Sequence, residues 1–254
     1  MSRMTRRKFL ALGALALPAA AGVDAALIEP ERLRVTDLTL NEDGQLRFLQ
    51  FTDFHYKGDD DYAAEVVRAI NALAPQFVCF TGDLVEDKRY AAKALEFIRA
   101  IKAPVYGSPG NHDYWCGAPF AEYEAAFAAT GGAWLVDRSA VVAQHDLEIV
   151  GMAMKGIHAL KPPQARRRIL LLHYPGMADR LQGPRYDLIL SGHSHGGQVR
   201  LPFVGALVLP YGVGRYDLGY FASRGGPLYV NAGIGTYHLP LRFNCRPELT
   251  VVTM

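Results

Sequence analysis

Five stretches carry side chains able to bind a metal or move a proton: Asp53-Phe54-His55, Gly82-Asp83, Gly110-Asn111-His112-Asp113, His173, and Gly192-His193-Ser194-His195. Asn111 offers a neutral amide oxygen to a hard or borderline cation, and His112 beside it offers an imidazole that titrates near neutral pH. Singly, each has a plainer explanation: a capped turn, a core histidine, a solvated polar group. Asp113 reads most simply as such a turn or capping residue. Together, Asp53, His55, Asp83, Asn111, His173, His193 and His195 make a mixed oxygen and nitrogen set large enough for two metal ions.

The set gains weight because every member directly follows a predicted strand. Residues 34–40 and 46–52 read as strands joined by the turn Asn41-Glu42-Asp43-Gly44-Gln45, a hairpin signal. The second strand runs into Asp53 and His55, which project to one side because strand side chains repeat every second residue. Ala63, Val66, Val67, Ile70 and Leu73 lie at helical spacing over 62–73, and a buried strand follows at 77–81. That βαβ unit places Asp83, like Asp53, at the carboxyl edge of neighbouring parallel strands, where α/β sheets bind ligands. A helix over 91–101 and a strand over 105–108 repeat the pattern and deliver Gly110-Asn111-His112 as a loop. A helix over 119–129 with Pro119 at its start precedes short strands near Trp134, Val141 and Ile149, expected as a β-meander. Strands at 169–172 and 187–190 then deliver His173 and the His193/His195 pair, and strands at 228–231 and 249–253 close the chain. Arg166-Arg167-Arg168 reads as a charged turn before its strand, or as a greeting for an anionic substrate or membrane.

Half of the 254 residues are hydrophobic and a fifth are charged, the balance of a globular chain with a sizeable core. The three cysteines, Cys79, Cys116 and Cys245, support neither a disulfide framework nor a thiolate zinc cluster. Arg6-Arg7-Lys8 followed by an Ala/Leu-rich run to Ala21 resembles a twin-arginine export signal over residues 1–25, with a Sec signal or an uncleaved anchor as alternatives. Residues 26–254 are then expected as a single domain. Without residues 1–25 the chain has 23 Lys+Arg against 24 Asp+Glu, so its basicity belongs to the signal and no nucleic-acid partner is indicated.

In order across residues 53–195, the pattern Asp-x-His, Gly-Asp, Gly-Asn-His, His, Gly-His-x-His resembles the calcineurin-like metallophosphoesterases. The resemblance implies an α/β fold, a four-layer α-β-β-α sandwich of two mixed sheets. It implies Asp53, His55, Asp83 and His195 around one divalent metal and Asp83, Asn111, His173 and His193 around the other, with Asp83 bridging and the metals Mn, Zn or Fe. The implied chemistry is hydrolysis of a phosphodiester or pyrophosphate by water activated between the cations. It further implies that His112 acts at the leaving group, oriented by an acidic residue three positions after Asp83. That residue is Glu86, longer than the Asp of many relatives, with Asp87 as the substitute.

Gly192 to Pro202, Gly233-Ile234-Gly235-Thr236 and Leu239-Pro240-Leu241-Arg242-Phe243 look like a bacterial membrane-associated phosphodiesterase branch. That branch is similar to enzymes acting on lipid-linked phosphates, including UDP-2,3-diacylglucosamine pyrophosphatases of lipid A synthesis. A lipid-linked or other small phosphate ester, with peripheral membrane contact, is the implied partner. Residues 203–221 hold apolar side chains that could line an acyl-chain surface or simply be core and hairpin. A twin-arginine signal implies export to the periplasm or the outer face of the inner membrane, whereas a UDP-linked substrate is expected in the cytoplasm, with a cytoplasmic membrane-associated protein as the alternative. The alternative function is a metal-binding regulatory protein without turnover. His145 and His158 are expected at the surface, and His238 is left unassigned.

Overall fold

Strand side chains in this chain alternate between two kinds of core. In the computed structural model, which describes residues 21–153 and 162–254, Phe48 and Cys79 point one way while Leu49, Phe51, Val78 and Phe80 point the other. His158 and residues 1–20 of the expected export signal lie outside the described residues. The result is two six-stranded mixed sheets. The first has the order β1 (Arg34–Thr39), β14 (Glu248–Thr253), β2 (Arg47–Phe51), β3 (Val78–Phe80), β4 (Val105–Gly107), β5 (Ala133–Trp134). The second has the order β12 (Gly219–Ala222), β13 (Pro227–Val230), β9 (Leu188–Ser191), β8 (Arg167–Leu172), β7 (Leu147–Met152), β6 (Arg138–Val142). A small antiparallel pair, β10 (Arg200–Leu201) and β11 (Gly205–Ala206), stands apart.

Phe48, Phe77, Cys79 and Val252 of the first sheet meet Ile149, Ile169, Leu171 and Leu190 of the second in one buried cluster between the sheets. Phe48 and Phe77 stack there at 4.7 Å. Outside the first sheet lie α1 (Asp60–Leu73), α2 (Ala91–Arg99) and α4 (Phe120–Ala129), which bury Ala63, Val66 and Ile70, Leu95 and Ile98, and Tyr123 and Phe127. Asp59 caps α1 by accepting from Tyr62 N at 3.0 Å, and Ala74 ends it in the left-handed region at φ 45°. Over the outer face of the second sheet, among the described residues, the covering layer is the 3₁₀ segment Pro175–Arg180 with the chain around Tyr216, not long helices. The α/β class with two mixed sheets is as expected, and β2, α1 and β3 form the expected parallel βαβ unit, Leu49 beside Val78.

Three local readings change. Strands β1 and β2 do not form a hairpin, because β14 inserts between them, parallel to β1 and antiparallel to β2. Glu248 to Val252 are all buried, so β14 needs a neighbour on each edge, and that demand overrides the turn at 41–45. The expected meander splits: β5 extends the first sheet parallel to β4, whereas β6 and β7 form a hairpin in the second. Arg167 and Arg168 are strand residues, and buried Arg168 pairs with Glu148 at 2.8 Å and lies 4.6 Å from the Tyr186 ring centroid.

Candidate metal centre and active site

The parallel strands β2, β3 and β4 of one sheet and β8 and β9 of the other all end at one edge of the sandwich. Gln50 ties the two rows of strand ends together, its Nε2 donating to Thr81 Oγ1 (3.2 Å) and across to the Ser191 carbonyl (3.0 Å). The seven expected ligands emerge above it and are all buried. Asp53, His55 and His195 converge, with His195 Nε2 3.4 Å from Asp53 Oδ1 and 3.1 Å from His55 Nε2. Asp83, His173 and His193 form a second group, with His173 Nε2 3.2 Å from Asp83 Oδ2 and 3.0 Å from Asn111 Oδ1. Asp83 Oδ2 also lies 3.6 Å from His55 Nε2, so this carboxylate reaches both groups.

Hydrogen bonding decides which ring nitrogens face inward. His173 Nδ1 is 2.7 Å from the Thr81 carbonyl, which can only accept, so the Nδ1 proton is directed there and Nε2 faces the oxygens of Asn111 and Asp83. His55 Nδ1 likewise donates to Glu86 Oε2 at 2.7 Å, turning its Nε2 toward Asp53, Asp83 and His195. His195 is held well below the usual histidine range by burial and by its neighbours His55 and Arg242, so its imidazole is neutral. Its buried Nδ1 has no hydrogen-bond partner among the described residues. Lone pairs aimed at one another in a buried site are unfavourable unless a proton or cation lies between them. A set of imidazoles, carboxylates and one amide fits first-row divalent cations, and the two groups could hold metal ions.

Without a cation, protons do part of that work. Burial lowers the His173 pKa, but Asp83 and Asp53 outweigh it and raise it to about 9. Asp83 is lowered despite burial, by His173 and His55, whereas burial and Asp83 raise Asp53. Burial lowers His193 to about 3, helped by His173. Two pH effects follow from His173. In metal-free protein, its ion pair contributes stability fully below pH 6.5 and loses it as pH rises through about 9, the order expected for a raised histidine. A metal bound at His173 would displace that proton, so affinity should tighten with rising pH up to about 9 and loading at pH 7.5 should release protons. Isothermal titration in buffers of different ionisation enthalpy checks the release, and pH-independent binding without release would contradict it.

The Gly110-Asn111-His112-Asp113 stretch opens a short helix, α3 (Asn111–Trp115), instead of a loop. Asp113, read from sequence as a turn or capping residue, does cap α3 by accepting from Gly110 N (2.9 Å), and it is also fully buried and accepts from Asp83 N (2.9 Å) and Leu84 N (3.1 Å). It thus clamps the end of β3 to the start of α3, while Asp83 Oδ1 accepts from His112 N at 2.7 Å. The approach is so close that a Cβ on Gly110 would lie 2.2 Å from Asp83 Oδ1 and 2.7 Å from Asp83 N. Gly110→Ala should therefore cost about 3 kcal/mol through overpacking and lower the melting midpoint by roughly 6–12 °C. An unchanged midpoint with normal metal content would show that the clamp yields.

Five of the seven candidate ligands sit in the left-handed region: Asp53 (φ 50°), His55 (43°), Asp83 (60°), His193 (68°) and His195 (49°). Buried Arg242, donating to the carbonyls of Ala232 (3.0 Å), Gly233 (2.9 Å) and Cys245 (2.9 Å) and to Gly235, holds the 232–235 turn. Gly235 N in turn donates to the Asp53 carbonyl at 2.8 Å.

His112, lowered by burial and partly restored by Asp83, packs edge-on to His55 at 4.7 Å. Its Nδ1 is 3.4 Å from the same Glu86 Oε2 that holds His55, so Glu86 lies between ligand and imidazole. Asp87 instead accepts from Arg89 N at 2.9 Å. Trp115 and Tyr237, unremarked in the sequence, lie 5.0 and 4.9 Å from the His112 ring. His238 is exposed with its ring 3.8 Å from that of Tyr237, and His145 is half-buried beside Phe77. The signal for Tyr237 was available: it directly follows Gly233-Ile234-Gly235-Thr236.

The comparisons agree with this geometry. The model of the family described as calcineurin-like phosphoesterase matches residues 46–197, which carry all seven candidate ligands. The chain is 31% identical to the uncharacterized metallophosphoesterase YkuE of Bacillus subtilis, over all of this chain and 99% of that protein. It is 32% identical to the phosphodiesterase YaeI of Escherichia coli over 60% of this chain and 58% of that one. It is 25% identical to the UDP-2,3-diacylglucosamine pyrophosphatase LpxG of Chlamydia trachomatis over 94% of each. With the donor set gathered at one sheet edge and the family match spanning it, the chain belongs to the calcineurin-like phosphoesterases and is a hydrolase.

Proposed function

We propose that this hydrolase is a two-metal phosphodiesterase or pyrophosphatase, with Asp53, His55, Asp83 and His195 holding one cation and Asp83, Asn111, His173 and His193 the other. The observation that carries the reading is Asp83 Oδ2, placed 3.2 Å from His173 Nε2 and 3.6 Å from His55 Nε2, where one carboxylate can serve both groups. Bound there, Mn, Zn or Fe would stabilise charge on the phosphoryl oxygens and make water a nucleophile near neutral pH. His112, next to Asn111, donates the proton to the leaving oxygen. An anionic phosphate beside it favours the imidazolium and opposes the lowering by burial. Glu86, held ionised by its hydrogen bond from His55, positions His55 and steadies His112 through the same oxygen.

A phosphate carried on a lipid is the finer substrate reading, supported by apolar residues beside the site and by the likeness to LpxG. Export through the twin-arginine-like N-terminus favours a lipid phosphate met outside the cytoplasm over a UDP-linked one. The test is hydrolysis of a panel of nitrophenyl mono- and diesters, nucleotide pyrophosphates and lipid phosphates, with Mn, Zn and Fe supplied separately. Diesters or pyrophosphates should be cleaved in preference to monoesters. Stoichiometric metal binding with no cleavage across the panel would make the chain a metal-binding regulatory protein instead. Sequencing the mature N-terminus from fractionated cells decides the compartment.

A further inference from the structure

From Leu201 to Gly214 the chain contains no charged side chain, and of its apolar residues Val213 alone among the described residues is buried in the core. Phe203, Val204, Leu207, Val208, Leu209 and Tyr211 are exposed, Phe203 and Tyr211 more than nine-tenths so. A run of this kind on a globular surface marks a contact. Its ends are fixed to the metal-site loops. Arg200 Nη1 donates to the Gly196 carbonyl at 2.7 Å and pairs with Asp217 at 3.0 Å, and the Tyr211 carbonyl accepts from His193 Nε2 at 2.7 Å. Between these anchors β10 and β11 close a tight turn with Phe203 at its tip, in the left-handed region at φ 67°.

A second exposed apolar run, Val23, Leu27 and Ile28, is tied to the same part of the chain. Arg242 N donates to the Ala25 carbonyl at 2.9 Å, and Asn244 N and Cys245 N donate to the Glu29 carboxylate. The next residue, Phe243, pairs with Val199, and its carbonyl accepts from Arg200 N at 2.9 Å. The chain that enters here comes from the sequence Arg6-Arg7-Lys8 and the uncharged run Phe9 to Val23, a basic then apolar composition suited to a bilayer surface. No helix among the described residues is long and apolar enough to cross a membrane.

We infer that the β10–β11 turn and residues 207–211 are a membrane-docking face that inserts peripherally into a lipid bilayer and holds the metal centre at its surface. Residues 242–245 are hydrogen-bonded both to the Ala25–Glu29 segment and to Arg200 at the foot of the turn, and the turn itself carries no cation to recognise headgroups. Insertion of apolar side chains is therefore the interaction. The inference is independent of which phosphoester is cleaved.

The test uses the full chain with phosphatidylethanolamine/phosphatidylglycerol vesicles. Phe203→Trp reports the turn itself: its emission should be quenched by vesicles with brominated acyl chains well beyond the quenching of the parent, whose exposed Trp115 is the background. The combined Phe203→Ser, Val204→Ser, Leu207→Ser and Val208→Ser variant should partition onto vesicles at least about tenfold less than the parent. Its hydrolysis of a soluble nitrophenyl diester should be unchanged, and circular dichroism verifies its fold even if no substrate is ever cleaved. Parental quenching in Phe203→Trp, or equal partition of the serine variant, overturns the inference. So does a lipid-free dimer that the serine variant abolishes, which would assign the face to a second copy. Lipid-free protection of the Phe203→Trp indole from aqueous quenchers would assign it to the chain's own N-terminus and overturn it equally.

Discussion

Asp83→Asn is expected to lower kcat/KM by roughly 10³-fold or more and to leave the protein with fewer than two bound metal ions. The carboxylate is buried at the meeting point of both groups, within 3.2 Å of His173 and 3.6 Å of His55. The amide keeps the volume and can still accept from His112 N, the 2.7 Å bond that ties α3 to β3, so the fold should survive. What disappears is the negative charge that would offset two cations in a site shielded from water. Elemental analysis beside diester kinetics checks it. Full activity with two metals bound would remove Asp83 from the centre of the proposed mechanism.

His112→Ala should lower turnover by roughly 10²–10⁴-fold, the range for a lost general acid, while both metals stay bound. The discriminating readout is the leaving group. Nitrophenolate departs without a proton, whereas an alkoxide does not, so the loss should grow as the leaving alcohol becomes more basic. A uniform loss across leaving groups would leave His112 a positioning role. Loss of metal would make it a ligand, for which the grouping of His112 with His55 and Asp83 already offers the geometry.

Much of this site was legible because it obeys a local rule. A short apolar strand followed at once by Asp53, Asp83, Asn111, His173 or His193 needs only the period of the strand and the parallel direction of the sheet. What stayed hidden depended on distant chain. The turn at 41–45 says nothing of β14, which arrives some two hundred residues later and separates β1 from β2. Asp113 is the cap its position suggests, but its second role, across to Asp83 and Leu84, exists only once β3 and β4 are side by side. Glu86 was expected to serve His112. In the fold its longer side chain reaches His55 first, at 2.7 Å against 3.4 Å, since both imidazoles border the same carboxylate. Tyr237 drew no notice because a phenol carries no metal-ligand signature, yet its ring is the one packed against His112.

The left-handed backbone at Asp53, His55, Asp83, His193 and His195 was invisible in any residue pattern, since Asp and His are only moderately enriched there. Each such residue costs about 1–2 kcal/mol relative to its relaxed conformation. The surrounding sheets, the Asp113 clamp and Arg242 must therefore hold these turns in place before any ion arrives. Chelated protein should keep an open, correctly spaced nest of donors and refill without refolding. Evolution would find the same five positions easy to stabilise with glycine, and every such gain would be a step toward a sturdier, inert relative.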